Sequence, residues 1–216
     1  MDTRNTLLQH ILVAIFSIIL LSLFVFVLDI KESTAFARTS FILLFITMGI
    51  GPLMKLKKPK DVSSPLKTPW TWRSEFGLWF TITGLLHVVF VLNGRPNWNI
   101  LKSLGGGIGG GGYGLANLLG YIALIWAVIL AITSFGKVIK FLGVKSWKWL
   151  HSFAYVLFYL VATHLIYFQF FSNYGGGPDW FGWTAVVMTI IIIGIQSMAF
   201  IKTIINKRNT ARPLKK

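Results

Sequence analysis

The sequence predicts an all-α integral membrane protein with six transmembrane helices, and three observations support this prediction. Hydrophobic residues make up 55% of the 216 residues, 12% are charged, and the mean hydropathy is +0.69. Several apolar stretches of about twenty residues are long enough to cross the hydrocarbon core as helices. The basic residues cluster between these stretches. We expect residues 1–216 to form one domain, with any nucleotide- or flavin-binding module on another polypeptide.

Six apolar segments follow one another along the chain, and each is long enough for a helix. They are Leu7 to Leu28, Thr39 to Met54, Phe76 to Leu92, Leu115 to Phe135, Trp149 to Phe171 and Phe181 to Ile201. The run from Ile11 to Val27 is apolar on all faces, unlike the alternating strands of a membrane β-barrel. The second segment is the shortest, and Gly49, Gly51 and Pro52 predict that its last turns are loose.

The basic residues predict the orientation of the helices. The net charge is +15, and all but four of the 21 Lys and Arg residues fall on one side of the predicted spans. The four exceptions are Lys31, Arg38, Arg95 and Lys102. Lys and Arg are enriched on the cytoplasmic side of membrane proteins, so both termini are predicted to be cytoplasmic. We expect this basic surface to contact anionic membrane lipids rather than nucleic acid.

Imidazole is the strongest metal ligand that this chain offers. The sequence has no cysteine, which excludes disulfides, thiolate metal sites, iron–sulfur clusters and cysteine catalysis. Three histidines, His87, His151 and His164, lie in long apolar runs. An imidazole in hydrocarbon is costly and is kept where it serves a metal, a proton or a ligand. We therefore expect a bound cofactor, and no residue is predicted to act as an acid-base catalyst.

His87 and His164 are predicted to lie at a similar depth. His87 is eleven residues beyond Phe76, and His164 is fifteen residues beyond Trp149, where both helices enter from the cytoplasmic side. At about 1.5 Å per residue these offsets are roughly 17 and 22 Å, in the outer half of the membrane. Two facing imidazoles at one level can ligate one haem axially. The sequence therefore predicts a six-helix bundle with a haem between its third and fifth helices.

His151 is predicted to mark a second, inner level. It precedes His164 by thirteen residues, or about 20 Å along one helix. A matching partner on the third helix would stand fourteen residues before His87, where the chain has Arg73. Arginine is a poor iron ligand, so Arg73 is expected to meet a haem propionate or a lipid phosphate, and His10 is the other candidate partner. A straight helix would turn the two histidines about 140° apart, so either helix tilt absorbs this difference or the sites open toward different neighbours.

Acidic residues are not predicted inside any of the six spans. All six lie outside the apolar segments or at their edges: Asp2, Asp29, Glu32, Asp61, Glu75 and Asp179. Their absence from the spans counts against a proton-coupled carrier, because such carriers use buried carboxyl groups.

A series of residues resembles a known membrane family. The matching pieces are Gly51-Pro52-Leu53 before a basic loop, Arg73 followed by Gly77-Leu78-Trp79 and His87, Thr133-Ser134, and then Leu142-Gly143, Trp147, Leu150-His151, Tyr155, His164 and Tyr167. On these residues the chain resembles the ferric reductase-like transmembrane domain family. Within it, the chain is most similar to the haem-binding membrane subunits of bacterial periplasmic methionine sulfoxide reductase systems. The series from Leu142 to Tyr167 is the most specific part of the resemblance.

The resemblance implies a b-type haem subunit of the bacterial inner membrane that carries electrons across it. The implied donor is a cytoplasmic flavin reductase or a quinol, and the implied acceptor is an extracytoplasmic methionine sulfoxide reductase or a ferric chelate. Larger relatives hold two haems on four histidines, whereas this chain has Arg73 in place of the fourth. His87 and His164 are the implied ligands of the outer haem, while His151 and Arg73 would hold a second haem, FMN or a quinone. The expected partners of the haem propionates are Arg95, Lys102 or Arg73.

Two other classes of function are consistent with the same residues. The first is a small transporter or channel in which polar histidines line a path through the bundle. The second is a membrane assembly subunit in which a haem has a structural role only. Detection of a redox-active haem would distinguish an electron-transfer protein from both of these alternatives.

Overall fold

The protein is described by a computed structural model over residues 6–56, 72–94, 113–171 and 177–210, and every regular element in these ranges is helical. The helices are α1 (Thr6–Ser22, continued by a π-helical turn over Leu23–Val27), α2 (Glu32–Leu56), α3 (Arg73–Asn93), α4 (Tyr113–Ile132), α5 (Gly136–Leu142), α6 (Val144–Ser152), α7 (Ala154–Phe170) and α8 (Trp180–Thr210). Within the described ranges, 6 helical stretches are long and apolar enough to cross a membrane. The prediction of six membrane-spanning helices is confirmed.

Helix α2 lies at the centre of the bundle. It packs against α1, α3, α7 and α8, and 61% of its most apolar window is buried, compared with 17–22% in the other spans. Its side chains Ala35, Leu43, Leu44 and Met48 are at most 2% exposed. The segment that appears shortest in the hydropathy pattern is therefore the core helix.

The bounds of α2 correct the prediction of Thr39 to Met54. The helix begins at Glu32 and ends at Leu56, and its first turns bury the polar residues Ser33 and Arg38. Helical backbone continues past the edge of the apolar run because neighbouring helices, rather than lipid, surround these polar groups. Pro52 lies inside the helix without ending it, since a proline removes one backbone hydrogen bond and leaves the others in place.

Four helices form a closed ring around the interior of the bundle. Helix α3 packs along α2 and contacts α4, α4 packs along α7, and α7 returns to α2. Helices α1 and α8 lie outside this ring and expose many apolar side chains, such as Ile18, Ile19, Ile190 and Phe200. Outward apolar faces of this kind are what a lipid environment requires of a multi-pass membrane protein.

The fifth predicted span, Trp149 to Phe171, is not one unbroken helix. It begins earlier, at Val144, and is divided at Phe153 into α6 and α7. The Phe153 amide donates to the carbonyl of Leu150, three residues back, in a tight turn, while the Trp126 indole donates to the Phe153 carbonyl over 3.3 Å. The Ser152 hydroxyl also donates to the Trp149 carbonyl, a pattern that bends helices.

The remaining helices keep their predicted order with modest changes of length. Helix α3 begins at Arg73 instead of Phe76, α4 ends at Ile132 instead of Phe135, and α8 continues to Thr210. The extension of α8 beyond Ile201 consists largely of polar and basic residues. Hydropathy marks the part of a helix that lipid can surround, whereas the backbone hydrogen bonds continue into the polar boundary.

Six spans place the two ends of the chain on the same side of the membrane, and the basic connections predict that this side is the cytoplasm. A green fluorescent protein fused after Lys216 is expected to fluoresce, and alkaline phosphatase fused at the same position is expected to be inactive. Alkaline phosphatase fused after Asn99, between α3 and α4, is expected to be active. Activity of the phosphatase at Lys216 would contradict this orientation.

Candidate cofactor site

His87 and His164 are held by the same kind of hydrogen bond. On α3, His87 Nδ1 lies 2.7 Å from the carbonyl oxygen of Ser33 on α2. On α7, His164 Nδ1 lies 2.6 Å from the carbonyl oxygen of Ala116 on α4. A carbonyl oxygen can only accept, so Nδ1 carries the hydrogen in both rings, and Nε2 of the neutral ring carries a lone pair. Both imidazoles are thus arranged to bind a metal through Nε2.

The two imidazoles line one cavity inside the ring of four helices. The cavity has a volume of about 390 Å³, and its wall is formed by parts of α2, α3, α4 and α7 together with Phe181 of α8. Apolar and aromatic side chains such as Phe80, Leu124 and Phe168 form much of this wall. The prediction from helical depth that His87 and His164 lie at one level therefore agrees with their shared cavity.

Glycine at position 120 is required by the close approach of α4 to His164. A Cβ atom added to Gly120 would lie 2.8 Å from His164 Cε1 and 2.9 Å from Nδ1, which is closer than side-chain atoms can pack. Because the His164 ring is held against α4 by the Ala116 carbonyl, the helix has no room for a side chain where the ring crosses it. Gly120 is a site residue that the histidine pattern in the sequence does not reveal.

The cavity has a basic end that the sequence analysis missed. Arg38 lines the cavity with a side chain that is 6% exposed, and Lys31 lines it as well. The Arg38 Nη2 atom forms a salt bridge with Asp179 Oδ2, immediately before α8. The signal in the sequence is an arginine directly before the apolar run at Thr39, apart from the basic clusters of the cytoplasmic side.

Of the three residues predicted to meet propionates, Arg73 is the one that the structure describes. Arg95 and Lys102 are outside the described residues. Arg73 lies at the opposite end of α3 from His87, next to α2. Arg38 is therefore the buried cation that the structure places at the histidine cavity.

His151 has a different environment from the other two histidines. Its Nε2 atom lies 3.2 Å from the Thr133 hydroxyl, just after α4. That hydroxyl also lies 2.9 Å from the Ile129 carbonyl, and its one hydrogen can go to the carbonyl or to the ring, so the contact suits either tautomer of His151. The Trp147 ring packs against the imidazole with centroids 4.6 Å apart. The hydrogen-bonded nitrogen of His151 is thus Nε2, whereas that of His87 and His164 is Nδ1.

Arg73, at the start of α3, lies beside Gly51 of α2 and near the Tyr155 hydroxyl of α7, whose chain continues from the helix that carries His151. A Cβ added to Gly51 would lie 3.5 Å from Arg73 Nη1 and 4.0 Å from the Tyr155 hydroxyl, so Gly51 lets the guanidinium approach α2. No hydrogen bond joins His10 to His151 within the described parts of the chain.

Glu75 lies at the edge of its span, as predicted, but its side chain is buried. This side chain is 2% exposed in the first turn of α3, where its Oε2 accepts from the Ser74 hydroxyl over 2.8 Å. A carboxylate is stabilised there by the positive end of the helix dipole.

Over residues 6–56, 72–94, 113–171 and 177–210, no three or more His, Asp or Glu side chains gather as a metal site. The histidine cavity therefore offers a pair of imidazoles, which suits a metal whose other ligands belong to a macrocycle.

Comparison with known proteins does not extend this assignment. No model of a known protein family matches the sequence, and no curated protein matches it. The resemblance to ferric reductase-like membrane domains stays a prediction. Function is therefore inferred from the cavity and the side chains that line it.

Replacing Gly120 with alanine is expected to displace the His164 ring from α4. Overpacking of this kind costs about 1–3 kcal/mol, because the ring or the helix must move. The matched control is Gly194→Ala on α8, where an added Cβ meets nothing within 4 Å. We expect Gly120→Ala to lower the thermal unfolding midpoint of the detergent-purified protein and Gly194→Ala to leave it unchanged or raise it. Equal midpoints for the two variants would contradict the close approach.

Proposed function

We propose that the protein is a membrane electron-transfer subunit that holds one b-type haem between His87 and His164. The observation that carries this proposal is the pair of buried imidazoles on one cavity, each with Nδ1 bonded to a backbone carbonyl. Such a bond sets the tautomer, fixes the ring orientation and raises the basicity of Nε2, as is usual for histidines that bind metals. On this proposal the chain belongs with the ferric reductase-like membrane domains.

The cavity fits a haem in size and in chemistry. Its volume of about 390 Å³ falls in the range of roughly 300–1,000 Å³ that is usual for cofactor pockets. Much of the wall is apolar and it also carries the cations Lys31 and Arg38, so these residues would hold a largely apolar macrocycle with acidic substituents. The donors are two neutral nitrogen ligands on different helices, which is the ligand set of a six-coordinate b-type haem.

The side chains of the protein would bind and insulate the cofactor. Haem iron supplies one-electron oxidation and reduction, and neither histidine needs to exchange a proton for that chemistry. The apolar wall keeps water from the metal, and the two carbonyl-bonded rings resist rotation when the charge of the site changes. These are the properties of an electron carrier rather than of a catalytic centre that binds a substrate.

The second cluster consists of His151 and Arg73, and we propose that electrons enter the protein there. A cytoplasmic flavoprotein or a quinol would deliver them there, and an extracytoplasmic methionine sulfoxide reductase or a ferric chelate would accept them beyond the haem. His151 is not equivalent to the cavity histidines, because its Nε2 is hydrogen-bonded to Thr133, whereas theirs is not the nitrogen bonded to a carbonyl. We therefore assign the haem to His87 and His164 and propose that His151 and Arg73 take part in electron input without a second haem.

The purified protein is expected to show a reduced-minus-oxidised spectrum with sharp b-type bands. His87→Ala and His164→Ala should each abolish these bands, because each substitution removes an axial ligand. His10→Ala, on α1, is the matched control and should retain them. A colourless wild-type protein would contradict the proposal, and a haem that no flavoprotein or quinol can reduce would favour a structural role.

The assignment of one haem is tested by stoichiometry. We expect about one haem per chain from the pyridine haemochrome assay and from protein determination by amino-acid analysis. His151→Ala should retain the haem, because the haem is assigned to His87 and His164 and the Nε2 of His151 is hydrogen-bonded to Thr133. It should slow reduction of the haem by the donor. Two haems in the wild type, with one lost in His151→Ala, would show that the inner cluster binds haem.

A further inference from the structure

We propose that Arg38 and Lys31 form an acid subsite that recognises the carboxylates of the ligand in the histidine cavity. This inference rests on the proposed function, since it concerns the haem carboxylates that the chain would bind in addition to the iron. The acid subsite lies at the end of the cavity formed by the start of α2. It adds two binding residues that neither the histidine pattern nor the predicted propionate partners identify.

The charges on the cavity wall select for an acidic ligand. The described residues that line the cavity include two cations, Lys31 and Arg38, and no Asp or Glu. The buried positive charge of Arg38 is costly unless anions approach it, whereas Lys31 is exposed and keeps contact with solvent. A ligand with an apolar body and one or two carboxylates would match this wall, whereas a neutral or cationic ligand would leave it unmatched.

Arg38 is already oriented but only partly paired. Its Nη2 is bonded to Asp179, while its Nη1 is buried and has no hydrogen-bond partner among the residues that the structure describes. The guanidinium carbon lies 5.0 Å from the centroid of the Phe181 ring and 5.2 Å from that of Trp180, so aromatic rings also hold the group. A buried donor without a partner destabilises the protein, and a ligand carboxylate would supply the missing acceptor through a charge-assisted hydrogen bond.

Asp179 acts as a positioning residue for this arginine. Its Oδ1 accepts from the Gly182 amide over 2.9 Å at the start of α8, and its own amide donates to Gln169 Oε1 over 3.2 Å. Its Oδ2 is then directed to Arg38. Because Gln169 also lines the cavity, Asp179 connects two parts of the wall and fixes the arginine while leaving Nη1 for a ligand.

Lys31 supplies a second, more adaptable cation. It is exposed and precedes α2, and its Nζ would lie 3.5 Å from a Cβ added to Gly94 at the end of α3. A lysine carries a mobile point charge, whereas the guanidinium of Arg38 offers fixed donors. One fixed and one mobile cation suit a ligand with two acidic groups, as the two propionates of haem b are.

The experiment compares haem with its dimethyl ester, in which both carboxylates are blocked. Apoprotein is produced in haem-deficient cells, purified in detergent and titrated with each compound while the Soret band is recorded. We expect the ester to bind the wild type about 10- to 100-fold more weakly, as charge-assisted hydrogen bonds predict. The ratio should fall several-fold in Arg38→Met and by less in Arg38→Lys, which keeps the charge.

The matched control is Arg208→Met, the same substitution on the exposed end of α8, which should keep the wild-type ratio. The control also corrects for the greater partition of the ester into detergent, because that partition is common to all variants. Equal affinity of the wild type for both compounds would overturn the acid subsite and leave the proposed haem protein standing. Failure of the wild type to bind either compound would overturn the proposed function itself. If Arg38→Met does not fold, the wild-type comparison still decides the question.

Discussion

The arrangement of the interior depends on the hydrogen bonds from two buried imidazoles to backbone carbonyls. His87 is bonded to Ser33 and His164 to Ala116, so each bond joins neighbouring helices of the ring that surrounds the cavity. An unpaired imidazole nitrogen in an apolar interior would cost free energy, and the carbonyl removes that cost at Nδ1 while leaving Nε2 for a ligand. The same bonds thus stabilise the bundle, set the tautomer and define the site. The close approach of α4 at Gly120 follows from them.

The buried charged groups of the bundle each have a partner side chain, and one of them also lines the cavity. Arg38 and Asp179 pair at the cavity, while Glu75 lies buried at the start of α3 with Ser74 as its partner. The central position of α2 explains how an arginine can be buried in a membrane-spanning helix, because helices instead of lipid surround it. Its incomplete pairing is the feature that a ligand would complete.

The two histidine clusters differ in the nitrogen that they leave available. The cavity histidines donate through Nδ1, whereas the hydrogen bond of His151 to Thr133 is made at Nε2, and its ring packs on Trp147. The break at Phe153 separates α6, which carries His151, from α7, which carries His164. Both rings contact α4 or the turn after it, at Thr133 and Ala116, and the two clusters have different proposed roles in one electron path.

The sequence by itself determined the six long apolar helices and their order, and it predicted that His87 and His164 lie at one level. It could do so because lipid demands about twenty apolar residues per span and a helix advances by a constant rise. Only the tertiary structure decided that α2 is central, that the chain bends at Phe153, and that Arg38 lines the cavity. Those features arise from contacts between residues far apart in sequence, such as the Trp126 indole on the Phe153 carbonyl. Hydropathy and spacing report how each residue relates to lipid, and they carry no information about which helix stands beside it.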